Sequence, residues 1–247
     1  MAPSKPTPTF TTAIQPPPGP STPLVLPTHP LAAQNPPIFN DALQVRTRVF
    51  IDEQHCSADT EIDTDDARSW QWVIYASLGA TAPDSPTNSS QHAAAAPSPV
   101  AVIRLVPPPQ LPHALLTHPS DPANEHLPAY DWTHEPCVKL TRVAVLPEYR
   151  GHGLGRRLVE TALEWAASHA GEIDAAAVRL AAQTQEDGKG GGGGGVPSGW
   201  RGLVLVHAQV DVERMYSGLG FVTDEGLGRW DEEGIEHVGM FYRVEVR

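Results

Sequence analysis

The stretch from Val143 to Leu158, V-A-V-L-P-E-Y-R-G-H-G-L-G-R-R-L, constrains the fold more than any other part of the chain. The short apolar run Val143-Ala144-Val145 predicts a strand buried on both faces. Pro147 ends it, and glycines follow at 151, 153 and 155. From Leu154 the apolar spacing is helical, with Leu154, Leu158, Ala162 and Trp165 on one face. Strand, flexible turn and helix in that order leave the N–H groups of the first helical turn without partners. The glycines remove side chains that would hold a ligand away from those amides. Such a turn suits an anionic group, phosphate above all. A P-loop would need G-x-x-x-x-G-K-[ST], and the chain supplies no Lys-Ser/Thr pair. A dinucleotide fingerprint would need glycine at 156, where Arg156 stands. An ordinary strand–helix turn is the plain alternative.

Around this stretch the patterns alternate between packed elements and low-complexity segments. Residues 1–37 are rich in Pro, Thr and Ser and predict a flexible lead-in, with a first strand at either Thr9–Ile14 or Leu24–Leu26. A helical pattern begins at Ile38 and runs to Ile51, with Arg46 and Arg48 interleaved. An acidic loop follows, with carboxylates at 59, 61, 63, 65 and 66; it lacks the central glycine and closing glutamate of a calcium loop. It reads as solvated, or as the wall of a cavity for a cationic substrate. Ser69–Ala76 and Val100–Val106 predict an antiparallel strand pair, and Leu140–Val145 and Leu203–Val206 two further strands. A helix through Val212, Met215, Tyr216 and Leu219 should end at Gly220, and Phe221-Val222 and Val238–Val246 close the chain as strands. Insertions interrupt this single domain of residues 38–247 at about 79–99, 107–136 and 183–199.

Composition narrows the class. Of 247 residues, 26 are proline and 21 glycine, clustered in the insertions, so the packed part is smaller than the length suggests. A net charge of −12 argues against nucleic-acid and anionic-membrane partners. The two cysteines, Cys56 and Cys137, have no metal-site spacing and point to a reduced, cytoplasmic or nuclear protein. No run is long and apolar enough for a membrane span. The histidines at 113, 118, 126 and 134 lie irregularly among prolines, and no metal is expected.

R-G-H-G-L-G after V-A-V-L-P-E-Y resembles the acetyl-coenzyme A motif Q/R-x-x-G-x-G/A of the GNAT superfamily of N-acetyltransferases. Met215-Tyr216-Ser217-Gly218-Leu219-Gly220-Phe221 is similar to that family's F-Y-x-x-x-G-F segment, with methionine replacing phenylalanine. A narrower likeness, to the bacterial ElaA-like branch, lies in Arg48–Gln54, the acidic loop, His207-Ala208-Gln209 and Glu233–Met240. That branch carries a histidine after the acidic loop where this chain has Trp70-Gln71-Trp72, which implies a different acceptor pocket.

The resemblance implies an α/β (α+β) fold: a mixed, mainly antiparallel twisted sheet flanked by helices, with splayed parallel strands at the cofactor site. It implies acetyl transfer from acetyl-coenzyme A to a primary amine, small molecule or peptide, by direct attack in a ternary complex of a monomer or homodimer. Val143, Ala144 and Val145 would pair the pantetheine arm. The amides from Arg150 through Gly151, His152, Gly153, Leu154 and Gly155 to Arg156 would hold the pyrophosphate, and Gln209 a backbone or cofactor group. Tyr216 would protonate the departing thiolate. A proton must also leave the attacking amine, and His237, Glu53, His207 and Glu233 are the candidates, His237 first. The rival reading from another class is a non-catalytic acyl-coenzyme A-binding or protein-interaction module on the same scaffold.

Overall fold

The computed structural model describes residues 7–78, 96–117, 121–186 and 199–247. Most of the expected insertions at 79–99 and 183–199, and residues 118–120 of the third, lie outside the described residues. The strands are β1 (Pro8–Gln15), β2 (Trp70–Leu78), β3 (Ser98–Val106), β4 (Val138–Val145), β5 (Leu203–Gln209), β6 (Val222–Thr223), β7 (Arg229–Glu232) and β8 (Ile235–Arg243). The helices are α1 (Pro37–Arg46), α2 (His113–Thr117), α3 (Leu154–Ser168), α4 (Ala170–Glu186) and α5 (Glu213–Ser217). The eight strands form one sheet in the order β1-β2-β3-β4-β5-β8-β6, with β7 also paired to β8. Every pairing is antiparallel except β4 with β5. This is the mixed, mainly antiparallel sheet expected, with one parallel pair at its centre.

Alternation along the strands decides which helix lies on which face. Trp70 and Trp72 of β2 pack on Trp165 of α3, with ring centroids 4.8 and 5.5 Å apart. Gln71, between them, points the other way and meets Arg46 of α1. The sheet is therefore covered on both sides, which is why Val100–Val106 of β3 is buried without alternation, Arg104 included. Of the two candidate first strands, the Thr9–Ile14 patch pairs with β2 along its whole length. The Leu24–Leu26 patch instead lies in a loop where the Asn35 side chain binds both the N–H and the carbonyl of Val25.

β4 departs from the expected strand. Val102↔Ala144 and Arg104↔Thr141 are register partners, so two steps along β3 span three along β4. The extra residue is a bulge, with Arg142 at φ 52. Parallel pairing with β5 covers only Val138↔Val204, Lys139↔Leu205 and Leu140↔Val206, stopping short of the bulge. Beyond it the strands part. Val143–Val145 is consequently not buried on both faces: Ala144 is buried, but Val143 and Val145 are half-buried.

Three more elements differ from the sequence pattern. The Ile38–Ile51 helix changes winding after Arg46 and continues as a π-helical turn over Thr47–Glu53. The tyrosine helix shortens to five residues because Gly218 and Gly220 follow it; Gly220 sits at φ 94, and Tyr216's carbonyl accepts from the N–H groups of Leu219 and Phe221. β7 is a strand the sequence did not signal, since R-W-D-E lacks an apolar alternation. It is held by a two-residue hairpin in which Glu233 (φ 55) and Gly234 (φ 86) are both left-handed.

Candidate acyl-carrier and acceptor site

The glycine turn meets the start of α3 as the sequence expects. Arg150 donates its N–H to Pro147 and Arg157 to Gly153, but no N–H from 151 to 156 reaches a protein acceptor among the described residues. Gly151 (φ 81) and Gly153 (φ 72) are left-handed, and a Cβ built on either would meet nothing within 4 Å. Six donors are thus left without a protein partner among the described residues at the positive end of a 15-residue helix dipole. Gly155 is different: its Cβ would lie 3.5 Å from the Met215 sulfur and 3.8 Å from Val145, so this glycine lets α5 close on the turn. A phosphate-bearing ligand fits here on two counts, the free amides and the room above the left-handed glycines.

Two ion pairs tie the helix end to the turn. Arg150 forks onto Glu53 at 2.7 and 2.6 Å and also donates to the carbonyl of Val145 at 3.1 Å. Arg48 meets Glu148 at 2.9 Å. The hydrogen bond from Arg150, more than its charge, holds the Glu53 carboxyl below the ordinary carboxylate range. A carboxylate so engaged is a weak proton acceptor, which counts against the base role expected of Glu53.

Tyr216 sits against the core, 4 % exposed, its ring 5.5 Å from Phe221. Burial raises its pKa, so the hydroxyl keeps its proton. Burial alone is the cause, with no hydrogen bond or neighbouring charge adding to it. Arg156 reaches the carbonyl of Gly218 at 3.5 Å, and with Gly155 against Met215 this binds the tyrosine helix to the cofactor turn.

Across the gap, Gln209 and His237 are register partners on β5 and β8. Gln209 exchanges amide hydrogen bonds with Gln54, at 3.3 and 3.1 Å, linking the end of β5 to the segment after α1. His237 is buried; its Nδ1 lies 2.8 Å from the carbonyl of Ile235, which can only accept. Nδ1 therefore carries a hydrogen, which makes Nε2 the nitrogen left to exchange a proton with a ligand.

His207, the first β5 residue past the parallel pairing, donates from Nδ1 to Glu232 at 3.2 Å, and the same oxygen accepts from Trp230 Nε1 at 2.7 Å. Its ring lies 4.8 Å from Trp230 and 5.9 Å from His113, the latter on α2 of an insertion. Burial, reinforced by Lys139, lowers the His207 pKa to about 4. Lys139 is itself brought down to about 8 by burial, against the opposing pull of Glu232 and Asp65. Sequence reasoning missed Glu232, Trp230 and Lys139; the only available signal was an acidic hairpin ending two residues before His237. Glu233, a proton-acceptor candidate, caps the acidic loop instead, accepting from the Ser57 N–H and the Thr60 hydroxyl, both at 2.6 Å.

The acidic loop turns most of its carboxylates onto arginines, while Asp59 and Asp63 also line an open cavity with Thr22, Leu24 and Ile62. Arg46 pairs with Glu61 and Asp66, Arg104 with Asp63 and Asp66, and Arg142 with Glu61 and Asp63. Asp65 is held by Arg68. Gln71 joins the buried cluster through Asp66 at 3.0 Å, and Trp70 and Trp72 on either side of it are buried in the core. The sequence placed five carboxylates in one loop but could not show that three distant arginines converge on three of them, Glu61, Asp63 and Asp66. Cys137 is raised to about 12 by burial, and Cys56 is also raised, which leaves neither as a ready nucleophile. Among the described residues no group of His, Cys, Asp and Glu is placed to hold a metal, and no helix is long and apolar enough to cross a membrane.

Residues 54–185, more than half of the chain, match the Acetyltransferase (GNAT) family. Solved structures similar to this chain include a Lactobacillus plantarum protein, at 22% identity and TM-score 0.49, covering 95% of this chain and 97% of that one. An acyl-CoA N-acyltransferase from Pseudomonas aeruginosa has 20% identity and TM-score 0.46, covering 96% and 100%. Escherichia coli ElaA has 17% identity and TM-score 0.45, again covering 96% and 100%. The family match, rather than these overall likenesses, carries the assignment. Curated protein sequences give no match.

Proposed function

The chain belongs to the GNAT family of acetyltransferases, and from that premise we propose that it transfers an acetyl group from acetyl-coenzyme A to a primary amine, by direct attack in a ternary complex. The observation that carries the reading is the row of unpartnered amides from Gly151 to Arg156 beside a gap between two parallel strands. When bound, acetyl-coenzyme A supplies the thioester that the amine attacks.

In this reading the 151–156 amides hold the pyrophosphate, and the half-buried edge of Val143–Val145 receives the pantetheine arm. Arg150 is kept in place by Glu53, whose role becomes orientation of the turn. Tyr216 gives its hydroxyl proton to the departing thiolate; burial keeps the phenol protonated until that step, while making it a weaker acid. His237 takes the proton from the amine through Nε2, its tautomer fixed by the carbonyl of Ile235. Gln209, paired to Gln54, holds the two walls of the gap at a fixed spacing. Positioning by these walls supplies part of the rate on its own. The ElaA-like likeness of the motifs favours that branch. The acceptor is an amine in a small molecule or peptide, and the enzyme acts inside the cell.

Calorimetric titration with acetyl-coenzyme A, followed by thiol release with a panel of amines, polyamines and peptides, tests the proposal. Saturable binding and amine-dependent thiol release are expected. Folded protein that binds no acetyl-coenzyme A at millimolar concentration would refute it, and binding without thiol release from any amine would favour the non-catalytic module.

A further inference from the structure

Arg142 sits where the sheet opens, and its backbone and side chain both need explanation. It occupies the left-handed region at φ 52, where the Cβ of an ordinary L-residue crowds the following carbonyl oxygen. It lies in the β4 bulge, two residues past the last pairing with β5 and one residue before Val143. A strained non-glycine residue persists only where its surroundings hold it.

The surroundings are the acidic loop. The Arg142 guanidinium donates through Nη2 to the carbonyls of Thr60 at 3.2 Å and Glu61 at 3.3 Å, and to the Asp63 carboxylate at 3.3 Å. Its Nε lies 3.4 Å from the Glu61 carboxylate, and its charge sits 6.0 Å from the centre of the Phe50 ring, on the segment following α1. The loop is a firm anchor because each carboxylate has a second arginine: Glu61 has Arg46, and Asp63 has Arg104. Its other end is fastened to the β7–β8 turn through Glu233.

We propose that Arg142 is a positioning residue for the acyl-carrier site, tethering the β4 bulge to the acidic loop so that Val143–Val145 stays apart from β5. The inference rests on the function proposed above. Without the tether the bulge has no reason to keep a left-handed non-glycine residue, and β4 is free to relax toward β5 and narrow the gap. The acidic loop thereby acts on the cofactor without touching it, which accounts for a run of carboxylates beside a site for an anionic ligand.

The test is calorimetric titration of the full chain with coenzyme A, which needs no acceptor. Arg142→Gly keeps the left-handed backbone at no cost and removes only the tether; Glu61 and Asp63 retain their other arginines, so the fold is expected to survive. Affinity should fall about tenfold or more, as for the loss of charge-assisted hydrogen bonds. Millimolar methylguanidinium should restore part of it. A folded Arg142→Gly protein that binds coenzyme A as tightly as wild type overturns the proposal, as does a loss that methylguanidinium leaves unchanged. Should that variant not fold, Arg142→Asn answers the same question, since asparagine tolerates the left-handed region and is too short to reach the acidic loop; undiminished affinity there overturns the tether. Wild-type protein that fails to bind coenzyme A refutes the functional reading itself, a result distinct from any of these.

Discussion

At the scale of single residues, Tyr216 shows how burial keeps a phenol in its protonated form. Its hydroxyl is neutral over the whole working range. Tyr216→Phe removes only that hydroxyl and leaves the packing against Phe221. We expect kcat to fall by about tenfold or more with acetyl-coenzyme A affinity unchanged, a range ordinary for losing a general acid. Turnover assays beside calorimetry separate the two quantities, and unchanged kcat with a productive amine would remove the acid role. His237 could be ranked among the proton acceptors from its neighbours in sequence; its tautomer could not, because it depends on the carbonyl of Ile235 two residues back along the same strand.

At the scale of elements, the turn between β4 and α3 is almost wholly a local product. Proline ends the strand, glycines supply the left-handed residues, and the apolar stripe docks the helix. Leu154, Leu158 and Ala162 are buried as their spacing requires. Gly153→Ala tests this turn. At φ 72 an alanine costs about 1–2 kcal/mol of stability. Its methyl group clashes with no protein atom, since nothing lies within 4 Å, so it intrudes only on the ligand. Acetyl-coenzyme A affinity should drop about tenfold while the protein remains folded. Titration calorimetry beside a urea melt reads both, and full affinity would mean the amides do not hold the pyrophosphate. The splay of β4 from β5 is another matter. It follows from one extra residue in β4 against β3, and nothing in Leu140–Val145 announces a bulge at an arginine.

For the molecule as a whole, the buried charges set the response to acid. Burial opposes the charged form of Asp66, but Arg104 and Arg46 outweigh it and keep its pKa low. That contribution is present above the ordinary carboxylate range and is lost as pH falls through the depressed value. His207 acts in the same direction at higher pH. Unfolded, it takes up a proton near pH 6.5; folded, only at about 4. Between these values the unfolded chain binds more protons, so stability falls as pH drops from about 6.5 toward 4, by up to roughly 3 kcal/mol. Thermal melts from pH 7.5 to 4.5 should show this slope in the wild type and a flatter one in His207→Gln. Equal slopes would exclude His207 as its source.

The sequence by itself determined the glycine turn, the helix behind it and most of the strand positions, because each rests on contacts between residues close along the chain or on periodicity that one face of an element records. The mixed sheet and the tyrosine segment were legible only through the family resemblance. Only the tertiary structure decided the rest. It turned the acidic loop inward onto Arg46, Arg104 and Arg142, gave Glu53 to Arg150, and set His207 against Glu232 of a strand too short and polar to predict. Those pairings join residues from 15 to 97 positions apart, and they form because the fold brings opposite charges together, so that their attraction offsets the cost of leaving water, which no local pattern encodes. The turn at Gly151–Arg156 could therefore be read from the chain, while the gap it serves depends on an arginine at the β4 bulge and a loop some 80 residues before it.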